Sequence, residues 1–257
     1  EAEVGYLWMD DSLGLILDKL DALGIADNTI VVFVSDHGSE RKGSLIKTRG
    51  TEIPCLIRWP KVIKPGSISN GLLQNTDFVP TWFELAGAKI PEDYHIDGKS
   101  LLPMFQDPSV SVRKFIYAEQ GAARAIKTDE WEYISLRYTD EQIASAQGNR
   151  SDRAFKTFLG LSGGISRAKD FHPGTFSADQ LYHLTHDPTS QKNLAGDQGY
   201  ARQLRKMKSM LTNTVKKLGP RPYGDFVPGK GTNDAATSQE ILDKLSVYHT
   251  TNGKKKK

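Results

Sequence analysis

The spacing of apolar residues predicts alternating helices and strands in the first part of the chain. An amphipathic helix is predicted over residues 4–23, because apolar residues recur at helical spacing at Leu13, Ile16, Leu17, Leu20 and Leu23. The unbroken apolar segment at residues 30–34 follows a short turn, and a second short segment covers residues 55–59. Segments of this kind are typical of strands buried on both faces, as in a parallel sheet covered by helices. A helix, a turn and such a strand form half of an α/β repeat.

The pattern changes after about residue 108. Four short, partly alternating segments predict antiparallel strands, and they cover residues 115–118, 123–127, 132–136 and 181–184. A basic amphipathic helix is predicted at residues 200–218. We therefore predict an α/β domain in residues 1–111 and a smaller C-terminal subdomain with its tail in residues 112–257, in which an antiparallel sheet packs against a helix.

Composition excludes several classes of protein. Of the 257 residues, 38% are hydrophobic and 25% are charged, which is ordinary for a globular protein. No apolar segment is long enough to span a bilayer, so we predict no membrane span. The net charge of +3 owes part of its value to the terminal run Lys254 to Lys257, so a nucleic-acid partner is not implied. The single cysteine, Cys55, cannot form an intrachain disulfide.

Asp36 and His37 are the first candidates for chemistry. They follow directly after the segment that has the strongest pattern of a buried strand, and Gly38 then allows a sharp turn. Ligands of open α/β sheets bind beyond the carboxyl ends of the strands. A carboxylate oxygen beside an imidazole nitrogen suits a divalent metal. The alternative is a helix cap or a surface turn, in which the same residue types are common.

Six blocks of sequence resemble a known family. They are NTIVVFVSDHG, GTEIPCLIRWPKVIKPG, LLQNTDFVPTWFELAGAKIP, IDGKSLLPMF, RAIKTDEWEYI and LYHLTHDPTSQKNLA. In this order they resemble the second half of the catalytic domain of the sulfatases, in the alkaline-phosphatase-like superfamily, followed by the C-terminal subdomain. The resemblance implies that residues 1–111 form part of a mixed, mostly parallel sheet sandwiched by helices.

The resemblance also implies roles for individual residues. Asp36 and His37 would be metal ligands, with calcium favoured over magnesium, and the metal would bind a sulfate oxygen. Lys42 would be the catalytic lysine that contacts the sulfate group. The spacing after this lysine departs from the family pattern, so Lys47 stays an alternative. We favour Lys42 because it is closer to His37 in the sequence.

The nucleophile implied by the family is not found in this sequence. Sulfatases use a formylglycine made from the first residue of a C/S-x-P-x-R motif. Cys55 lacks the proline of that motif and lies within a predicted strand, where a cysteine acts as a small hydrophobe. We therefore expect an N-terminal part outside this sequence to supply the formylglycine and to be a partner of this chain, which alone would be inactive.

The resemblance leaves the substrate open within one class. We expect a sulfated small molecule or glycan, with a sulfated carbohydrate favoured. Gln120 and Arg124 flank the loop between the first two predicted strands of the subdomain, and either is a candidate to contact the sugar or alcohol part. The alternative for the arginine is a surface ion pair.

Two other functions share parts of this pattern. A phosphate or phosphonate monoester hydrolase of the same superfamily would have the same strand end. A non-catalytic relative that binds sulfated glycans would lack the nucleophile. The motif that carries the nucleophile distinguishes these possibilities. For either enzyme the resemblance implies a secreted or periplasmic location.

Overall fold

The computed structural model describes residues 2–38, 50–92, 96–120, 123–137 and 177–218. The chain divides into two compact units. The first unit contains residues 1–35 and 54–113, and the second contains residues 36–53 and 114–257. Residues 36–53 thus group with the C-terminal part of the chain. The predicted domain boundary after residue 111 stays a prediction about the whole protein.

The described residues of the first unit form three α-helices and two strands. Helix α1 spans Ala2–Ala22, strands β1 and β2 span Val31–Val34 and Cys55–Arg58, and helices α2 and α3 span Phe78–Leu85 and Leu102–Gln106. Gly24 follows α1 with a φ of 66°, a left-handed conformation that ends a helix and favours glycine. Among the described residues, no helix combines the length and the apolar character needed to cross a membrane.

Strand β1 is less buried than its sequence predicts. It pairs antiparallel with β2, so that Val31 lies opposite Arg58 and Val34 lies opposite Cys55. No other strand within the described ranges pairs with β1, and the first unit therefore has a sheet of two strands. Side chains on such a sheet keep water contact, and Val34 and Leu56 are exposed. Both sheets that the structure describes are antiparallel, so the mostly parallel sheet stays a prediction.

A small apolar cluster and a buried carboxylate order the rest of the first unit. The cluster is formed by the buried residues Leu101, Met104 and Phe105, which the side chains of Ile57 and Trp59, among others, pack against. Because this cluster joins α3 to strand β2, it holds the loop segment before α3 against the sheet.

Asp77 is fully buried and is held by hydrogen bonds from three directions. Its Oδ2 accepts from the Gln74 amide at 2.8 Å, and its Oδ1 accepts from the Lys99 amide at 2.7 Å. The Arg113 guanidinium donates to both carboxylate oxygens, through Nε at 2.7 Å and through Nη2. Near this carboxylate, a Cβ on Gly98 would lie 2.1 Å from the Thr76 carbonyl oxygen, so only glycine fits there.

The second unit contains a four-stranded antiparallel sheet in the order β3-β4-β5-β6. The strands span Ile116–Gln120, Ala123–Lys127, Trp131–Leu136 and Asp179–His183, and helix α4 spans Ala201–Val215. Helix α4 packs on the sheet through a buried core. The core contains Ile126, Tyr133, Leu181, Leu194, Met207 and Leu211. This arrangement confirms the predicted sheet with a packed helix.

The two faces of this sheet differ in chemistry. Ile126 and Tyr133 are cross-strand partners on the face that packs against α4. The adjacent pair, Lys127 and Glu132, points to the opposite face, because side chains alternate along a strand. Both members of this charged pair are buried, so the second face carries a buried ion pair beside buried apolar side chains such as those of Ala125 and Ile134.

Candidate functional site

Asp36 and His37 lie in a turn that directly follows strand β1. Their side chains approach each other, with His37 Nε2 at 3.5 Å from Asp36 Oδ2. The Asp36 side chain is 79% exposed and that of His37 is 34% exposed. The turn therefore presents a carboxylate and an imidazole together, with the carboxylate open to solvent, and their role as metal ligands stays a prediction.

The hydrogen bond of His37 determines its tautomer. His37 Nδ1 lies 2.8 Å from the carbonyl oxygen of Gly38. A carbonyl oxygen only accepts, so Nδ1 carries the proton and donates it in this bond. In the neutral ring, Nε2 is then the nitrogen with the lone pair, and this is the nitrogen that faces Asp36. Metal-binding histidines are commonly oriented by such a bond from the second nitrogen to a backbone carbonyl.

A backbone hydrogen bond joins the two described residues on either side of the segment that follows this turn. The amide of Gly38, which is buried, donates to the carbonyl oxygen of Gly50 at 3.1 Å. Lys42 and Lys47 belong to the segment between them, residues 39–49, which lies outside the described residues. Their roles stay predictions.

Arg124 lies in β4 and its side chain is 4% exposed. Its Nε is 3.2 Å from Glu119 Oε2, and Glu119 is its direct cross-strand partner in β3. Its Nη1 donates to the Ala123 carbonyl oxygen at 2.8 Å. This is the placement of an ion-paired arginine, and a role in substrate binding stays a prediction. Gln120 ends β3, where it is paired with Ala123, and its side chain lies outside the described residues.

Cys55 begins β2 opposite Val34 and is half-buried. Burial raises the pKa of its thiol. A raised pKa leaves little thiolate near neutral pH and makes the sulfur a poor nucleophile. This placement agrees with the prediction that Cys55 packs as a small hydrophobe.

No cluster of three or more histidine, cysteine or acidic residues suited to a metal occurs within the part of the chain that the structure describes. Asp36 and His37 would therefore be two ligands of a larger set. The distance of 3.5 Å between the two ligand atoms is compatible with one shared divalent ion.

Sequence reasoning missed a buried polar group in the second unit. Lys127 Nζ lies 2.9 Å from Glu132 Oε1, and the hydroxyl of Ser190 donates to Glu132 Oε2 at 3.0 Å. Lys127 also donates to the hydroxyl of Thr51. The sequence could have indicated this ion pair. Lys127 and Glu132 flank a short hairpin turn, and antiparallel pairing of the two strands places them opposite each other.

Comparison with known proteins decides the family. The family model described as Sulfatase matches residues 5–88, which include Asp36 and His37. The chain is 32% identical over 211 residues to the Ulvan-active sulfatase of Formosa agariphila. The chain belongs to the sulfatase family. It is also 30% identical over 208 residues to the Steryl-sulfatase of Mus musculus.

The matches cover most of this chain and a smaller part of each sulfatase relative. The Formosa alignment covers 78% of this chain and 40% of the relative, and the mouse alignment covers 72% and 32%. A solved structure, that of BT4656 with its substrate D-glucosamine-2-N,6-O-disulfate, is 25% identical with a TM-score of 0.60. The structural match covers 82% of the present chain and 39% of the chain of BT4656. The described fold is thus that of a sulfatase, and the chain spans roughly a third to two fifths of these relatives.

Proposed function

We propose that the protein hydrolyses sulfate esters and that Asp36 and His37 hold a divalent cation in its active site. The observation that carries this proposal is the Asp36–His37 turn itself. It lies within the segment matched by the sulfatase family, and His37 Nε2 lies 3.5 Å from the Asp36 carboxylate. A bound cation would polarise a sulfate oxygen and neutralise developing charge.

We propose calcium, with magnesium as the less favoured alternative, because the resemblance to the sulfatases implies it. Magnesium requires near-ideal octahedral geometry, whereas calcium accepts six to eight ligands in a flexible arrangement. Two ligands from adjacent residues on one turn suit the flexible ion, and water, substrate or other residues would complete its shell. Calcium binding, followed by titration calorimetry on the wild type and on Asp36→Asn, tests this assignment. We expect the substitution to weaken binding at least about tenfold, and equal affinities would exclude Asp36 as a ligand.

Lys42 is proposed to contact the sulfate group and to stabilise charge in the transition state. In the whole protein, Lys42→Ala should lower kcat about a hundredfold, as for the loss of one preorganised donor. Lys47→Ala is the matched comparison, because it removes the same charge five positions further along the sequence. A near wild-type rate for Lys42→Ala together with a strongly reduced rate for Lys47→Ala would transfer the role to Lys47.

The proposed substrate is a sulfated carbohydrate. Support comes from the Ulvan-active sulfatase and from the structure whose substrate is a glucosamine disulfate, although a Steryl-sulfatase also matches. If Arg124 or Gln120 contacts the sugar, Arg124→Ala should lower kcat/KM far more for a sulfated oligosaccharide than for a small aryl sulfate. Equal losses would indicate that the Arg124–Glu119 pair only stabilises the sheet.

The remaining parts of the proposal concern the whole protein. We propose a formylglycine nucleophile supplied by residues outside this sequence, a mostly parallel sheet completed by the same residues, and a secreted or periplasmic location. Family membership is their support. Mass spectrometry of the active protein should detect the formylglycine. Hydrolysis rates measured with 4-nitrophenyl sulfate and with 4-nitrophenyl phosphate distinguish a sulfatase from a phosphate monoester hydrolase. Binding of sulfated glycan without turnover would indicate the non-catalytic alternative.

A further inference from the structure

Lys127 is a buried charge, and a gain in stability alone does not explain why it is there. It ends strand β4, only 4% of the residue is exposed, and Glu132, its cross-strand partner, is fully buried. Burying two charges costs much of what their attraction returns, and apolar residues of similar volume are often as stabilising. A buried lysine at this place therefore suggests a contact that an apolar side chain cannot make.

The Glu132 carboxylate is held from both sides. Its Oε1 is 2.9 Å from Lys127 Nζ, and its Oε2 accepts the Ser190 hydroxyl at 3.0 Å. Ser190 is fully buried and has a φ of 54°, the single positive φ of a non-glycine residue in the described backbone. A strained residue of this kind persists only where its surroundings hold it. The carboxylate therefore fixes the ammonium of Lys127 in one position.

From this position the ammonium reaches the segment that carries the proposed metal ligands. Lys127 Nζ donates to the hydroxyl of Thr51, a residue on the protein surface. The neighbouring residue, Gly50, accepts the Gly38 amide at 3.1 Å, and Gly38 accepts the ring proton of His37 at 2.8 Å. Three hydrogen bonds, connected by the Gly50–Thr51 peptide link and by the backbone of Gly38, thus join the buried lysine to the imidazole.

We propose that Lys127 is a positioning residue for the Asp36–His37 turn: it anchors Thr51, and through the Gly50–Gly38 bond it keeps His37 and Asp36 in the orientation that binds a cation. This inference rests on the proposed function of the turn as a metal site. Supporting groups outside the ligand set commonly change metal affinity by about 10–100-fold.

The sharpest test removes the Thr51 hydroxyl. Thr51→Val keeps the shape of the side chain and leaves the Lys127–Glu132 pair intact. The first measurement is hydrogen exchange of the Gly38 amide in [15N]glycine-labelled protein, and the second is calcium affinity by titration calorimetry. We expect exchange to rise about tenfold, the equivalent of one hydrogen bond, and calcium affinity to fall about tenfold.

Two further variants separate positioning from general stability. The double variant Lys127→Met with Glu132→Leu removes the buried pair without leaving an orphan charge, and it should reproduce both effects. Lys208→Met is the matched control, because Lys208 is ion-paired with Asp179 at 2.6 Å in the same unit but takes no part in the path from Lys127 to His37. It should leave Gly38 exchange and calcium affinity unchanged.

The outcomes distinguish this inference from the proposed function. Unchanged Gly38 exchange in Thr51→Val and in the double variant would overturn the positioning role, as would equal effects in Lys208→Met. Faster exchange without calcium binding by the wild type would support the positioning role and reject the metal assignment. Faster exchange with unchanged calcium affinity would show that the anchor does not serve the ligands, and this too would overturn the inference.

Discussion

The two compact units differ sharply in how they bury apolar side chains. In the second unit, Tyr133, Leu181 and Met207 have no exposed surface, whereas Trp8 and Leu15 of the first unit are 71% and 72% exposed. Every exposed large hydrophobic side chain among the described residues belongs to the first unit: Val4, Tyr6, Leu7, Trp8, Met9, Leu15, Ile16, Leu23, Ile25, Val34, Leu56, Ile68, Val79, Trp82 and Ile90.

This contrast shows that the two units owe their order to different interactions. The second unit has a helix and a sheet that cover each other, so its core is closed within the described residues. The first unit relies on a small apolar cluster and on the hydrogen bonds of Asp77, and its other apolar faces have the exposure that is typical of interaction surfaces. Similar substitutions should therefore have different effects in the two units.

The largest effect is expected from the buried ion pair of the first unit. Arg113→Met leaves the fully buried carboxylate of Asp77 without its charged partner, and it should lower the free energy of unfolding by about 3–5 kcal/mol. Urea denaturation measures this loss. Arg58→Met is the control, since its pair with Asp21 at 3.0 Å is partly exposed and should be worth less than about 1 kcal/mol. Similar losses in the two variants would contradict the role given to Asp77.

The apolar core of the second unit should give the next largest effect. Leu211→Ala opens a cavity beneath α4 and should lower the free energy of unfolding by about 2–5 kcal/mol. Leu7→Ala on α1 removes the same atoms from a side chain that is 60% exposed, and it should change stability by no more than about 0.5 kcal/mol. Equal losses would show that α1 is packed like α4 and would remove the contrast.

The difference between the units also explains which parts of the fold the sequence predicted. Strand β4 lies at the predicted residues 123–127, and α4 lies within the predicted residues 200–218, because local patterns and closed packing agree there. The apolar composition of β1 predicts that the strand is buried in a parallel sheet. Composition does not predict which strand pairs with β1. The pairing with β2 depends on residues more than twenty positions away.

The same difference between local and long-range signals applies to individual polar residues. Asp36 and His37 are predicted as candidates because a strand end followed by a turn is a local signal, and their role stays a prediction. The Asp77–Arg113 pair was missed because its members are 36 positions apart and each resembles an ordinary surface charge in the sequence. Only the folded chain brings such residues together.

The pH dependence of stability should come in part from Asp179 of the second unit. Burial alone would raise the pKa of its carboxyl group, but hydrogen bonds from Lys208, Tyr133 and Arg137 outweigh it and hold the pKa below its usual value. Since the folded pKa is the lower one, this group stabilises the fold above its unfolded pKa, and the contribution is lost as the pH falls through the folded pKa.

Asp179→Asn should therefore lower the free energy of unfolding by about 1.5–3 kcal/mol at pH 7 and by less at pH 3, where part of the contribution is already lost. Urea denaturation of both proteins at the two pH values measures the difference. Asp107→Asn is a useful control, because the carboxylate of Asp107 is bonded only to neighbouring Ser109 at the surface of the first unit. A loss for Asp179→Asn that is independent of pH would mean that packing, and not charge, is what the substitution removes.

The smallest effect on stability is expected from substitutions of the exposed apolar side chains of α1. Trp8 and Leu15 are seven positions apart on α1, so they lie on the same face of the helix. Replacing both with glutamine removes exposed apolar surface without opening a cavity, and each change should alter the free energy of unfolding by no more than about 0.5 kcal/mol. Fluorescence of an apolar dye such as anilinonaphthalene sulfonate should fall clearly, because the dye binds the surface that the substitutions make polar.

A loss of stability above about 2 kcal/mol with unchanged dye fluorescence would mean that this face is buried in solution. In that case the first unit would have a closed core of its own, and the difference in packing between the two units would no longer stand.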